Sequence, residues 1–318
     1  MARLNFVLST ASPWFVYGAD PRGQPELRAA SIRGQLRYWL RALIGARTTD
    51  LSEVWKQETA VFGSTGSASP ISVRILPLEL EENAVYKVPM LPHRQGSAGD
   101  RSPTPAVGND YRISLSFITR PGVGFPQDFM PALSLWLLLG GVGKRSRRMF
   151  GAPRVVGFSC DPEDLVIEKW WAKRPKDPNR VSLVVKDTLD RYLSHSVLAD
   201  TKDIPLFPTL HPKHSWIVVG AQAYKSHAEA NQALFALLRG KYREYSNKCY
   251  FGCVDRNKRR ASPLIAQVRQ LEGGYYPVLT FMRSKPIPEN VNWKIVNNFM
   301  NDAIEEFKGE TVWGGAFQ

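Results

Sequence analysis

Glu26-Leu27-Arg28-Ala29-Ala30-Ser31-Ile32-Arg33-Gly34-Gln35-Leu36-Arg37-Tyr38-Trp39-Leu40-Arg41 joins a helix start, an apolar stripe and regularly spaced arginines in one run. Ser31 reads as an N-cap, because its hydroxyl can accept from a free amide of the first turn. Ile32, Leu36, Leu40 and Leu43 follow at helical spacing, so the predicted helix covers about 31–45. Arg33, Arg37 and Arg41 recur every four residues, a rise of about 6 Å, comparable to phosphate spacing along a nucleic-acid strand. Gly34 is costly inside a helix and makes sense where another backbone must come close. The N-terminal amides and the helix dipole also favour an anion. The alternative is an ordinary amphipathic helix with a solvated basic face.

Working outward, residues 3–9 read as a strand before this helix, across the Gly/Pro-rich loop Ser12–Gly23. A helix at 51–61, a strand at 71–76, a strand at 111–118, an apolar helix from Pro126 to Leu139 and a strand at 153–158 follow. This strand, helix, strand, strand, helix, strand series is the ferredoxin-like order. It recurs as a strand at 216–219, a long helix at 226–246, strands at 263–271 and 275–282 joined by Glu272-Gly273-Gly274, a helix at 290–308 and a weak strand at 311–313. The expected class is α+β, with two tandem ferredoxin-like (RRM-like) domains of antiparallel sheet and a flexible inserted loop. The expected boundaries are 1–160, a connecting segment 161–214 with a helix near 187–199, and 215–318. Residues 92–110, rich in Gly and Pro, are expected to form a mobile loop or functional arm without a periodic element.

Lys and Arg number 42 against 29 Asp and Glu, a formal net charge of +13, which favours a polyanionic partner, nucleic acid before membrane. Cys160, Cys249 and Cys253 are too few for a disulfide framework and fit a reducing, cytoplasmic compartment. No second cysteine pair completes a zinc site, and no metal or other cofactor is expected. The N-terminus has no signal-peptide pattern, and the most apolar run, 133–142, is too short to span a bilayer.

A second informative run is Gly140-Gly141-Val142-Gly143-Lys144-Arg145-Ser146-Arg147-Arg148-Met149-Phe150-Gly151. Four basic side chains lie within five residues, framed by glycines that would let backbone amides approach an anion. It is not a nucleotide-binding P-loop, because Lys144 is followed by Arg145 rather than Ser or Thr, and the run follows a helix. A solvated basic turn is the alternative. A weaker run places Arg259 and Arg260 just before a strand, where a basic hairpin edge explains them equally well. None of His93, His195, His211, His214 and His227 lies in the glycine-framed runs, so no catalytic residue is assigned. His93 is the best placed of the five for a general base.

Gly18-Ala19-Asp20, the Glu26–Arg41 run, Phe62-Gly63-Ser64, Gly143–Gly151 and Arg260-Ala261-Ser262-Pro263-Leu264 together resemble the RAMP superfamily of CRISPR effector proteins, and within it the subunit-one family of the Cmr (type III-B) RNA-targeting complex. The motifs keep their order over nearly the whole chain. The resemblance implies tandem ferredoxin-like domains in a non-catalytic subunit of a ribonucleoprotein, with guide CRISPR RNA, target RNA and other Cmr subunits as partners. It implies that the subunit meets the guide 3′ region. Carried over by motif, the RNA-binding set is Arg28, Ser31, Arg33, Gly34, Arg37, Arg41, Gly143, Lys144, Arg145, Ser146, Arg147 and Arg148, with Arg259 and Arg260 lesser. The chain lacks an aromatic RNP signature, which favours backbone contact through loops and helix ends. A single RNA path requires Arg33 and Arg147 to converge. Other functions compatible with the residues are a metal-independent endoribonuclease and a protein-binding scaffold.

Overall fold

The computed structural model describes residues 1–318 except 19, 21–22, 79–83, 89–103, 109, 164, 166, 195–197, 200–202, 248–249, 255–258 and 287–290, and omits the side chains of 246, 247, 253, 254 and 259. The chain divides into two compact units, 1–40 with 56–175 and 41–55 with 176–318. This differs from the expected boundaries at two places. Residues 41–55 belong with the second unit, and the segment expected as a connector is shared between the two. Its helix supplies the physical reason, since that helix builds part of the second unit's core, as described below.

The first series runs β1 (Arg3–Thr10), α1 (Ala29–Ile44), α2 (Leu51–Phe62), β2 (Ile71–Pro77), β3 (Val85–Val88), β4 (Thr104–Val107), β5 (Arg112–Thr119), α3 (Phe129–Leu139), β6 (Pro153–Asp161) and α4 (Lys169–Lys173). Its main sheet has the order β2-β5-β1-β6, with antiparallel neighbours throughout. Alternation places Leu4, Phe6 and Leu8 of β1, and Ile113, Leu115 and Phe117 of β5, on the buried face. Helix α3 is apolar almost all round and correspondingly buried. Phe117 meets Phe129 at 5.1 Å between ring centroids, and Phe6 meets Trp171 at 5.3 Å.

The second series runs α5 (Pro178–Ser194), β7 (Ser215–Val219), α6 (His227–Arg239), α7 (Arg243–Asn247), β8 (Cys253–Val254), β9 (Arg259–Arg260), β10 (Leu264–Leu271), β11 (Gly274–Met282), α8 (Trp293–Glu306) and β12 (Glu310–Gly314). Its sheet order is β10-β11-β7-β12, again antiparallel. In both sheets the first and third main strands are central. All of β7, and most of β10 and β11, are buried on both faces. α5 packs against β7 and β12. β7 and most of β10 and β11 therefore offer no open platform for base stacking, while the edge strand β12 is half-buried to exposed.

Several expectations need correction. Ser31 does not cap α1. The helix begins at Ala29, and the Ser31 amide already donates to the Arg28 carbonyl at 2.9 Å. Ala29 and Ala30 are strong helix formers that carry the start past the better capping residue. α5 begins at Pro178 rather than near 187. Proline fits the first helical position, and Asp177 Oδ1 accepts from the Arg180 amide at 2.8 Å as its cap. The long helix expected at 226–246 is two helices, broken at Gly240. Within the arm expected to lack periodic structure, 104–107 forms β4, paired with β3 through Lys87↔Pro105. A two-stranded ribbon has edges that tolerate proline. Apart from Gly108 and Asp110, the remainder of the arm, including His93, lies outside the described residues.

His211 and His214 are buried in the second unit, and Arg283 Nε donates to His214 Nδ1 at 2.8 Å. Burial, reinforced by Arg283, His211 and Lys213, pushes His214 down from 6.5 to about 4. Burial also lowers His211 and His227. An unfolded chain binds these protons more readily than the folded one between pH 6.5 and 4. Stability is thus full above pH 6.5 and falls as the pH drops toward 4. Thermal melts of the second unit's transition should shift down between pH 7 and pH 5, and His214→Gln should flatten part of that slope.

Candidate nucleic-acid interface

α3 ends at Gly140, whose amide donates to the Trp136 carbonyl at 2.8 Å. The chain then makes a closed loop. Val142 donates to the Gly151 carbonyl at 2.9 Å, and Gly151 to the Pro13 carbonyl at 2.9 Å. Lys144 pairs with Phe15 in an isolated bridge, its amide 2.9 Å from the Phe15 carbonyl. Across the tip, the Arg148 amide donates to the Arg145 carbonyl at 2.8 Å. Met149 and Phe150 turn inward, with the Phe150 ring tilted against Phe15 at 5.1 Å between centroids.

The framing glycines serve this closure. Gly143 and Gly151 both have φ of +75°. A Cβ on Gly143 would lie 2.4 Å from the Phe15 carbonyl oxygen, and one on Gly151 only 1.9 Å from that of Val142. These glycines let the loop press on its own chain. That is a different use from the anion nest expected of them.

The basic side chains of the loop are at least partly exposed while its root is buried. Lys144 Nζ sits 4.7 Å from the centroid of Tyr17, and the Arg147 guanidinium 5.0 Å from that of Tyr38. Arg148 Nη1 donates back to the Arg147 carbonyl at 2.9 Å. Neither tyrosine is among the residues the sequence singled out. A half-buried aromatic in a Gly/Pro loop, and one helix position beside an arginine, carry no local signal that a cation from over a hundred residues away lies on the ring.

α1 meets this loop on one face and the rest of the first unit on another. Tyr38 is four residues after Gly34, so the two share a face. Among the described residues, nothing lies within 4 Å of a Cβ built on Gly34, so the helix surface is open at that point. Arg28 and Ser31 are exposed at the start of the helix, whose first turn carries no acid. Arg33 and Arg37 face elsewhere. Arg33 Nη2 donates to the Ile71 carbonyl at 3.2 Å. Arg37 pairs with Glu58 at 2.9 Å and donates to the carbonyls of Phe62 and Gly63 at 3.0 and 2.8 Å. Desolvation and the neighbouring Arg37 charge lower the Arg33 pKa. Tyr38 lies five positions after Arg33, about 140° round the helix at 100° per residue. Arg33 and Arg147 thus meet α1 on different faces and do not converge on one groove.

Arg41, Arg259 and Arg260 belong to the second unit. Arg41 is exposed. Arg260 pairs with Cys253 in the β8–β9 ribbon, and burial lowers its pKa. The Arg259 side chain, Cys249, His93 and His195 lie outside what is described. Among the described residues, no helix is long and apolar enough to cross a membrane.

A family model described as the RAMP superfamily matches residues 7–154, from β1 through the basic loop. Over 323 aligned residues, the chain is 28% identical to the protein named CRISPR system Cmr subunit Cmr1-1 of Pyrococcus furiosus, covering 92% of this chain and 93% of the relative. Its fold resembles the crystal structure of apo Cmr1 from Pyrococcus furiosus, with a TM-score of 0.67, 24% identity and coverage of 99% and 100%. It also resembles a chain in the type III-B Cmr-β complex bound to cognate target RNA, with a TM-score of 0.65, 10% identity and coverage of 96% and 99%. α1 and the glycine-framed basic loop lie inside the region that matches the RAMP superfamily model, and subunit one of Cmr from Pyrococcus furiosus is similar to this chain along nearly its whole length.

Proposed function

We propose that this chain is a non-catalytic, RNA-binding structural subunit of a type III-B (Cmr-type) CRISPR effector ribonucleoprotein, built from two tandem ferredoxin-like domains. The strand orders β2-β5-β1-β6 and β10-β11-β7-β12 support the domain reading, since each has the first and third strands of its series at the centre. The similarity to Cmr1-1 over nearly the whole of both chains supports the assembly. The observation that carries RNA binding is the closed loop 143–151, a fixed backbone that presents Lys144, Arg145, Arg147 and Arg148. Gly143 shapes it, and Ser146 sits among the cations.

The proposed contact is to the sugar-phosphate backbone of guide RNA, target RNA or both. Arg28, Ser31 and Gly34 add to the first unit's contact surface. Arg41, Arg259 and Arg260 are a separate contribution from the second unit. Arg33 and Arg37 are internal struts of that surface. Other Cmr subunits complete the particle, which works in the cytoplasm without a cofactor of this chain's own.

Labelled single-stranded RNA titrated with the protein at several salt concentrations tests this. Replacing Arg145, Arg147 and Arg148 together by Ala should weaken binding and lower the salt slope by about 2, at about 0.7 per phosphate contact. Unchanged affinity and slope would remove the loop from the interface.

A further inference from the structure

We propose that Tyr38 and Tyr17 are positioning residues of the basic loop, their rings holding Arg147 and Lys144 in the pose that meets an RNA strand; this rests on the RNA-binding reading above. A surface loop cation normally loses rotamer freedom when it is captured by a phosphate, and that loss weakens binding. An aromatic ring fixes the side chain through the quadrupole of its face and leaves the positive charge intact. The loop uses rings at both of these positions, at 5.0 Å under Arg147 and 4.7 Å under Lys144.

Both rings are anchored independently of their cations. Tyr38 is on α1, edge-on to the buried Trp39 with centroids 5.8 Å apart. The Tyr17 hydroxyl donates to the Pro105 carbonyl in β4. Its backbone bridges Pro25, and its ring packs on the buried cluster of Phe15, Ala106 and Phe150. Burial pushes the Tyr17 phenol up to about 12, so it stays neutral and keeps donating. Neither ring can follow its cation into solvent. Gly34, one turn before Tyr38 on the same face, adds no side chain there, and among the described residues nothing lies within 4 Å of where its Cβ would be. A backbone can therefore reach the held guanidinium.

The test uses the full chain and labelled single-stranded RNA, titrated across salt. Tyr38→Leu should weaken binding about threefold to tenfold while keeping the wild-type salt slope, because the charge remains but is no longer held. Tyr38→Phe, which retains the ring, should restore affinity to within about twofold. Arg147→Ala should lower the slope by about 0.7. The double variant Tyr38→Leu/Arg147→Ala should bind no more weakly than Arg147→Ala alone, since the ring acts only through the cation. Tyr38→Leu binding like wild type, or the two losses multiplying in the double variant, would overturn the inference while leaving RNA binding standing. A wild-type chain without salt-dependent RNA binding would remove the functional reading, and this inference with it.

A second measurement needs neither RNA nor a variant. Phenylglyoxal should modify Arg147 more slowly than the exposed Arg28 of the same chain, followed by peptide mapping. Equal rates would show that the ring does not hold the guanidinium and would overturn the proposal, even if Tyr38→Leu failed to fold.

Discussion

Gly151→Ala is expected to destabilise the first unit by about 3 kcal/mol or more, an effect large for a residue next to a surface loop. Placing a Cβ at positive φ costs about 1–2 kcal/mol. Here the Cβ would also stand 1.9 Å from the Val142 carbonyl oxygen, so the chain must open. Opening breaks the Val142 to Gly151 hydrogen bond, adding roughly 1–3 kcal/mol if either group stays buried and unpaired. The loss should appear as a lower midpoint in urea unfolding and as weaker RNA binding, since the same closure presents the loop's cations. Gly34→Ala is the control. Its Cβ meets nothing among the described residues, and alanine is the better helix former by up to about 1 kcal/mol, so stability should rise. RNA affinity should fall if a strand passes over that face. A pair of glycine substitutions thus separates a glycine kept for the fold from one kept for a partner. Equal stability effects in the two variants would count against both assignments.

Arg37→Ala is the other large effect, expected at about 2–4 kcal/mol. One guanidinium serves the Glu58 carboxylate and two backbone carbonyls at the end of α2. Glu58 is buried, and removal of the arginine leaves its charge without this partner. Arg37→Lys should recover only part of the loss, because a single ammonium cannot reproduce the planar fork that reaches all three acceptors. The partial rescue distinguishes a strut from a generic positive charge. A fully stable Arg37→Ala protein with a reduced RNA salt slope would instead place Arg37 on the RNA path.

These two residues also show where the sequence was legible. The helical period around Leu36 and Leu40, and the alternation through Leu4, Phe6 and Leu8, identify elements directly, because burial on one face leaves a periodic trace. The order of those elements then points to two similar sheets. The basic loop was legible as a motif, four cations between glycines. The purpose of its glycines was not, since Gly151 is needed because Val142 closes upon it, a contact that no spacing rule encodes. Arg33 and Arg37 look like an RNA-facing stripe, and the same period puts them against Ile71, Glu58, Phe62 and Gly63. Arginine has the reach to satisfy either environment, so its position on the helix does not decide between them. Pro178 was masked by its neighbourhood. Arg174-Pro175-Lys176-Asp177-Pro178 reads as a turn, although Asp followed by Pro is also a good way to begin a helix.

The division of the chain has a consequence for how it is made. A ribosome that has reached residue 175 has produced the whole of the first unit and also residues 41–55, which belong to the second. Ala42, Leu43 and Ile44 are fully buried in the finished protein. The Ala42 carbonyl accepts from the Leu210 amide at 2.8 Å and from Thr209 Oγ1 at 3.4 Å, the latter 167 residues later in the chain. Until that later segment emerges, an apolar stretch synthesised early waits uncovered beside a unit that can already fold. Nascent chains stalled near residue 175 should therefore engage hydrophobic-binding chaperones through 41–55, and release from them should follow translation of the segment around Leu210.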